Sequence, residues 1–327
     1  MADPIAARPV AAIDCGTNAI RLLVASVDAD GVLDEIVREL RIVRLGEGVD
    51  ATGAFSEPAL ARTFAACDEY AGLIAHHRVG AIRFAATSAS RDATNREAFI
   101  AGVRERLGVT PEVISGDEEA ELSFLGAVRG LPAAPTSPVV VVDIGGGSTE
   151  FVHGTFVDGT FVDGAFADRT WRLDCSVSVD IGCVRMTERH LHADPPTPDQ
   201  IASVQADVDA ALDAVRLRVP VDDAASLVGL AGTVTTMAAM AMDLDRYDAA
   251  RQHGATISVD EIEAVTEELL RMSRAERAGL PFMHPGRVDV IGGGAIILRA
   301  IMRRFAIDRV IVSECDLLDG MVYRACS

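Results

Sequence analysis

Hydrophobic positions in this chain come in two alternating patterns. Segments rich in apolar and β-branched residues, some continuous and some alternating with charged positions, at residues 10–13, 19–27, 32–45, 81–87, 139–142, 226–231 and 309–312 predict strands. Between them, apolar residues recur every three or four positions and predict helices. The clearest sets are Phe99, Val103 and Leu107; Leu122, Leu125 and Val128; Ile201, Val204, Val208, Leu212 and Val215; and Ile262, Val265, Leu269 and Met272. Punctuation agrees with this reading. A helix is expected to start near Ser88 and run to Gly108. Ser115-Gly-Asp-Glu118 and Thr197-Pro-Asp-Gln200 read as capping boxes, the second with proline at the first helical position, and Ser258 with Glu261 caps another helix. A further helix is expected to run through Arg303 and a last one over residues 317–324. Strands alternating with helices predict an α/β fold.

The most informative stretch is Val139 to Glu150, read VVVVDIGGGSTE. Four β-branched residues predict a strand buried on both faces, ending at Asp143. Gly145, Gly146 and Gly147 then permit a tight turn, with positive φ available to each, and let main-chain N–H groups approach an anion. Ser148 and Thr149 add hydroxyls, and Glu150 returns a second carboxylate. Amides for phosphate oxygens and hard oxygens for a divalent cation are what a metal-bound phosphate needs. A spacer hairpin would have no use for an acid at each end.

An earlier segment has the same plan. VAAIDCGTNAIRLLV at residues 10–24 is an apolar strand, an Asp, a small-residue turn and a returning strand, so the chain contains one unit twice. Between the two copies, Ser88, Ser90, Arg91 and Asn95 gather at a predicted helix start, a favourable place for an anion. Asp117, Glu118 and Glu121 crowd the next helix start and fit a dipole-complementing role, with Glu119 beside them.

Composition narrows the chemistry. At 327 residues the length suggests about two domains. A formal net charge of −19 excludes a broad basic face for DNA or RNA, but not an arginine-lined groove for a small or linear polyanion. All 30 basic side chains other than histidine are arginine. Six cysteines without a CxxC pair read as reduced thiols of a cytoplasmic protein, and no long apolar segment predicts a signal peptide or membrane span. The tandem repeat at 154–168, GTFVD-GTFVD-GAFAD, reads as an expanded hairpin or loop without chemistry, Asp158, Asp163 and Asp168 being a poor metal set. His76, His77, His190 and His192 lack a third ligand at metal spacing, and Trp171 reads as a packing residue.

Together the motifs resemble the exopolyphosphatase and guanosine pentaphosphate phosphohydrolase family in its short, two-domain form. They are Asp14-Cys-Gly-Thr-Asn18 with Arg21, Thr87-Ser-Ala-Ser-Arg91 with Asn95, Ile114-Ser-Gly-Asp-Glu-Glu-Ala120, Asp143-Ile-Gly-Gly-Gly-Ser-Thr-Glu150, Asp180-Ile-Gly-Cys-Val-Arg185 and Gly232-Thr233. The resemblance implies two duplicated ribonuclease H-like domains of the actin, sugar kinase and Hsp70 ATPase superfamily with an interdomain cleft. The first would span residues 1–130, completed by 313–327, and the second 131–312. It implies Glu119 as general base, and Asp143 and Glu150 as catalytic carboxylates that hold Mg²⁺ or another divalent cation such as Mn²⁺. Gly145, Gly146, Gly147, Ser148 and Thr149 would cradle the terminal phosphate with Thr17, Asn18 and Arg21, and Ser88, Arg91 and Asn95 would hold the next part of the chain. A homodimer is also implied. One departure stands out: the family's late Ser-x-x-Gly-Leu-Arg-x-Gly is here Ser313-Glu-Cys-Asp-Leu-Leu-Asp-Gly320, without its arginine.

The expected activity is metal-dependent hydrolysis of the terminal phosphoanhydride of inorganic polyphosphate, releasing orthophosphate. Guanosine pentaphosphate (pppGpp) is the alternative substrate. A nucleotide-dependent kinase of the same superfamily, with Gly292 to Gly294 as an adenine-side loop, and a non-catalytic polyphosphate binder complete the readings.

Overall fold

The computed structural model describes residues 8–157, 161–162, 165–166 and 170–326. They fall into two compact units: the described residues up to Gly126 together with those from Leu317 onward, and Ala127–Asp316.

The first unit opens with β1 (Val10–Cys15), β2 (Ala19–Val27) and β3 (Leu33–Ile42), followed by α1 (Val49–Thr52), α2 (Glu57–His76), β4 (Ala81–Ala86), α3 (Ser88–Asp92), α4 (Arg96–Leu107), β5 (Glu112–Val113) and α5 (Gly116–Gly130). Its sheet has the order β3-β2-β1-β4-β5. β1 pairs antiparallel with β2 and parallel with β4, so every β1 residue is buried. Alternation still sorts its side chains. Ala11, Ile13 and Cys15 pack with Tyr70, Phe84, Phe99 and Val103, whereas Ala12 faces the opposite way, toward Leu122 and the C-terminal helix.

The second unit continues with β6 (Val139–Ile144), β7 (Thr149–Val157), the short β8 (Phe161–Val162) and β9 (Ala165–Phe166), then β10 (Thr170–Val179). Next come α6 (Cys183–His190), α7 (Pro198–Arg216), β11 (Ser226–Leu230), α8 (Ala231–Ala241), α9 (Ala249–Gln252), β12 (Thr256–Ser258), α10 (Val259–Arg271), α11 (Arg274–Ala278), α12 (Ile291–Arg304) and β13 (Arg309–Val312). The sheet order is β10-β7-β6-β11-β13-β12. Its first five strands repeat the plan of the other sheet: two antiparallel pairings, then parallel ones. Val142, Ile144 and Phe151 on one face meet α6, α7 and α12 in a single core. The closing α13 (Leu317–Ala325) belongs to the first unit, where Gly320 lies so close to α5 that a Cβ would stand 2.0 Å from Leu122 O. Leu318, at the position of the missing arginine, is 1% exposed and packs in the core between α5, α13 and the sheet.

Several expectations need correction. The helix predicted over 88–107 is two helices, because residues 93–95 are drawn onto another loop: Thr94 N and Oγ1 both donate to Gly53 O, and Asn95 clasps the backbone of Phe55. Gly292–Gly294 form no loop. They open α12, where a Cβ on Gly293 would stand 2.8 Å from Cys183 O and one on Gly294 2.4 Å from Thr233 Oγ1. Smallness there serves helix packing, which removes the feature that favoured a kinase. The box at Ser115 is half made: Ser115 Oγ accepts from Glu118 N, but the Glu118 carboxylate turns to Arg83. The boxes at Thr197 and Ser258 are complete. Asp158, Asp163 and Asp168 lie outside the described residues. Among the described residues no helix is long and apolar enough to cross a membrane.

Candidate active site

β6 delivers Asp143 to the end of a buried strand, and the antiparallel register sets Glu150 of β7 directly opposite it. Both are buried, at 7% and 1% exposure. Glu150 Oε1 accepts from Ser148 Oγ at 2.6 Å and from Ser178 Oγ at 2.7 Å.

The turn between the strands is held from behind. Gly145 N donates to Ser148 O at 3.0 Å and closes it. Cys183 N donates to Gly145 O, Val184 N and Arg185 N to Gly146 O, and Arg185 Nε to Gly147 O at 2.7 Å. Every glycine carbonyl is thus claimed by the start of α6. The amides of Gly146, Gly147 and Ser148 have no hydrogen-bond acceptor among the described residues. Such a row of N–H groups is an anion-binding concavity. None of the three glycines uses the positive φ available to it; the sharpest constraint falls on Gly182, where a Cβ would stand 2.3 Å from Gly146 O. Thr149 departs from expectation too. It is fully buried on the Ile144 side of the sheet and donates its hydroxyl to Ile181 O, so it does not join the cradle.

The first unit carries the matching turn between β1 and β2, closed by Gly16 N donating to Ala19 O at 2.9 Å. Here too the carbonyls are claimed from behind, Thr17 O by Gly46 N and Asn18 O by Val43 N and Arg44 N. Thr17 Oγ1 is buried without a hydrogen-bond partner among the described residues. The residue opposite Asp14 is Arg21, which donates to Asp14 Oδ2 through Nε at 2.9 Å and Nη2 at 2.5 Å. Arg21 therefore neutralises a carboxylate of its own unit.

The acids opening α5 divide their duties. Glu118 pairs with Arg83 and Glu121 with Arg324, whereas Glu119, 8% exposed, meets Arg91 Nη1 at 2.7 Å. Ser88, in α3 with Arg91, is buried at 3% exposure. Asn95 is spent on structure: Oδ1 accepts from Phe55 N at 2.8 Å and Nδ2 donates to Phe55 O at 3.0 Å.

Sequence reading gave no separate role to Asp14, Ser178, Arg185 or Arg287. The last lies against Gly232 at the start of α8, donates to Thr236 Oγ1 and stacks near Tyr247, whose hydroxyl meets both oxygens of Glu314. The cysteines embedded in the motifs are not nucleophiles in waiting. Burial raises the Cys15 thiol well above its ordinary value and pushes Cys183 up to about 11. Among the described residues no group of three or more His, Cys, Asp or Glu side chains is placed to hold a metal ion.

A model of the Ppx/GppA phosphatase family matches residues 23–327. The chain belongs to that family. Exopolyphosphatase 2 of Mycobacterium tuberculosis is 47% identical over 324 residues, 95% of this chain and 97% of the relative. The crystal structure of an exopolyphosphatase-like protein superposes with a TM-score of 0.89 at 46% identity and covers 97% of each chain. The Aquifex aeolicus PPX-GPPA enzyme superposes with a TM-score of 0.77 at 30% identity, covering 97% of this chain and 99% of that one. The α/β architecture described above is thus that of solved Ppx/GppA proteins.

Proposed function

We propose that this Ppx/GppA chain is an exopolyphosphatase that hydrolyses the terminal phosphoanhydride of inorganic polyphosphate and releases orthophosphate. The observation that carries the reading is the row of unclaimed amides from Gly146 to Ser148 beside the facing carboxylates of Asp143 and Glu150. The amides would take the oxygens of a terminal phosphoryl group, with Thr17, Asn18 and Arg91 serving the same chain. Within this reading the two units are ribonuclease H-like domains of the actin superfamily, supported by their shared strand order.

The donor set suits a divalent cation. Two carboxylates and nearby hydroxyls are hard oxygen donors, and Mg²⁺ is commonly held by one or two carboxylates while phosphate oxygens and water complete its shell. A third acidic ligand is not required. Asp143 and Glu150 would hold the ion, and when bound it would neutralise charge on the phosphate oxygens. Glu119 would take the proton from the attacking water. Positioning and electrostatics supply most of the rate in phosphoryl transfer, which accords with a site built of fixed amides and buried acids.

Six free thiols support a cytoplasmic setting, and we take the working form to be a homodimer. The test is phosphate release from polyphosphate of defined length against release from guanosine pentaphosphate, for the parent chain and Glu119→Gln. Removing a positioned base costs about 10²- to 10⁴-fold in rate. Near-normal turnover by Glu119→Gln would reject that assignment, and preference for the nucleotide would reverse the substrate order.

A further inference from the structure

Arg91 uses the two edges of its guanidinium unequally. Nη1 donates to Ile114 O at 3.1 Å and to Glu119 Oε2 at 2.7 Å. Nε and Nη2 have no acceptor among the described residues, and the side chain is 24% exposed. Guanidinium carries five N–H groups in a rigid fork, and its Nε/Nη2 edge matches two oxygens of a phosphate.

The anchored edge is fixed by the sheet. Arg91 lies in α3, the helix that opens just after β4, and Ile114 follows β5; the parallel β4–β5 pairing and the bond from Ile114 N to Ala86 O lock the two strands together. Glu119 is tied to the same place, since its amide donates to Ser115 O. Arg91 can therefore accept an anion on one edge without releasing the carboxylate on the other.

We propose that Arg91 is a bridge: Nη1 fixes the Glu119 carboxylate while the Nε/Nη2 edge takes oxygens of the bound phosphate chain. One group then reads the substrate and sets the position of the base. This rests on the exopolyphosphatase reading and adds a positioning role to a phosphate contact. Lysine keeps the charge but offers a point donor on a flexible stem, so it can replace the phosphate contact and not the two-edged geometry.

The experiment uses the full chain with Arg91→Lys and Arg91→Gln, each in the parent and in the Glu119→Gln background. Two quantities are measured: kcat for phosphate release from polyphosphate, and Kd for inorganic tripolyphosphate in the Glu119→Gln background, where turnover is slow. Arg91→Gln should weaken tripolyphosphate binding about tenfold or more, and Arg91→Lys by only about threefold. Arg91→Lys should lower kcat about tenfold or more in the parent and hardly at all once Glu119 is gone. Equal kcat losses in both backgrounds, or unchanged binding in Arg91→Gln, overturn the bridge while leaving the activity in place. A parent chain that neither binds nor hydrolyses polyphosphate overturns the functional reading and the bridge together.

Discussion

Glu150 faces Asp143 across the β6–β7 pair, at the register position that Arg21 holds opposite Asp14 in the first unit. The same backbone device therefore ends in an internal ion pair in one unit and in two facing acids in the other. Two buried carboxylates repel unless something positive stands between or beside them. Asp143→Asn and Glu150→Gln should each raise the Mg²⁺ concentration for half-maximal phosphate release about tenfold or more, whereas Asp14→Asn should leave that midpoint largely in place. A metal titration of initial rates decides it, and an unshifted midpoint in both acid variants would move the cation elsewhere.

The glycine turn is shaped by what lies behind it. Adding a Cβ at position 182 would drive a methyl to 2.3 Å from Gly146 O and displace the carbonyl that receives Val184 N and Arg185 N. Overpacking of this kind typically costs about 1–3 kcal/mol. Gly182→Ala should therefore lower Tm by several degrees and raise KM for polyphosphate more than it lowers kcat. Finding KM unaltered in a destabilised variant would separate the loop from substrate binding.

Much of this was legible in the sequence because it was local. The valine run, the acid after it and the glycine turn mark Asp143 and Glu150; the complete boxes at Thr197 and Ser258 and the strand β13 are likewise written in short stretches. Strand alternation could also have told that the Thr149 and Glu150 side chains point to opposite faces of the sheet. What stayed hidden depends on residues far apart in the chain. Nothing near Asn95 announces Phe55, 40 positions away, and nothing near Arg91 announces Glu119, 28 positions away. The glycines at 145–147 suggested positive φ, but the constraint fell on Gly182, which only the packed turn reveals.

Asn95 gives a prediction that separates architecture from binding. Its amide makes one bond in each direction with the Phe55 backbone, and removing such a hydrogen-bonding partner costs about 1–3 kcal/mol for the groups left behind. Asn95→Ala should thus lose stability in a denaturant titration while KM for polyphosphate changes less than about threefold. A variant of undiminished stability with KM raised tenfold would return Asn95 to the phosphate set.

Buried thiols give the chain an alkaline limit. Burial raises Cys15, pushes Cys67 up to about 12 and Cys183 to about 11, against an ordinary value of 9.0. Above pH 9 the unfolded chain sheds these protons while the folded chain keeps them, so the unfolded state binds fewer and stability falls as pH rises. The contribution is whole below pH 9 and is lost progressively up to the folded values, at a limiting slope of about 1.4 kcal/mol per pH unit for each thiol. Unfolding free energy measured between pH 8 and 11 should bend downward near pH 9, and Cys67→Ala should reduce the slope above the bend while lowering the plateau below it. A flat profile to pH 11 would mean that these thiols ionise as readily folded as unfolded, and that the core around Cys15 and Cys67 admits water.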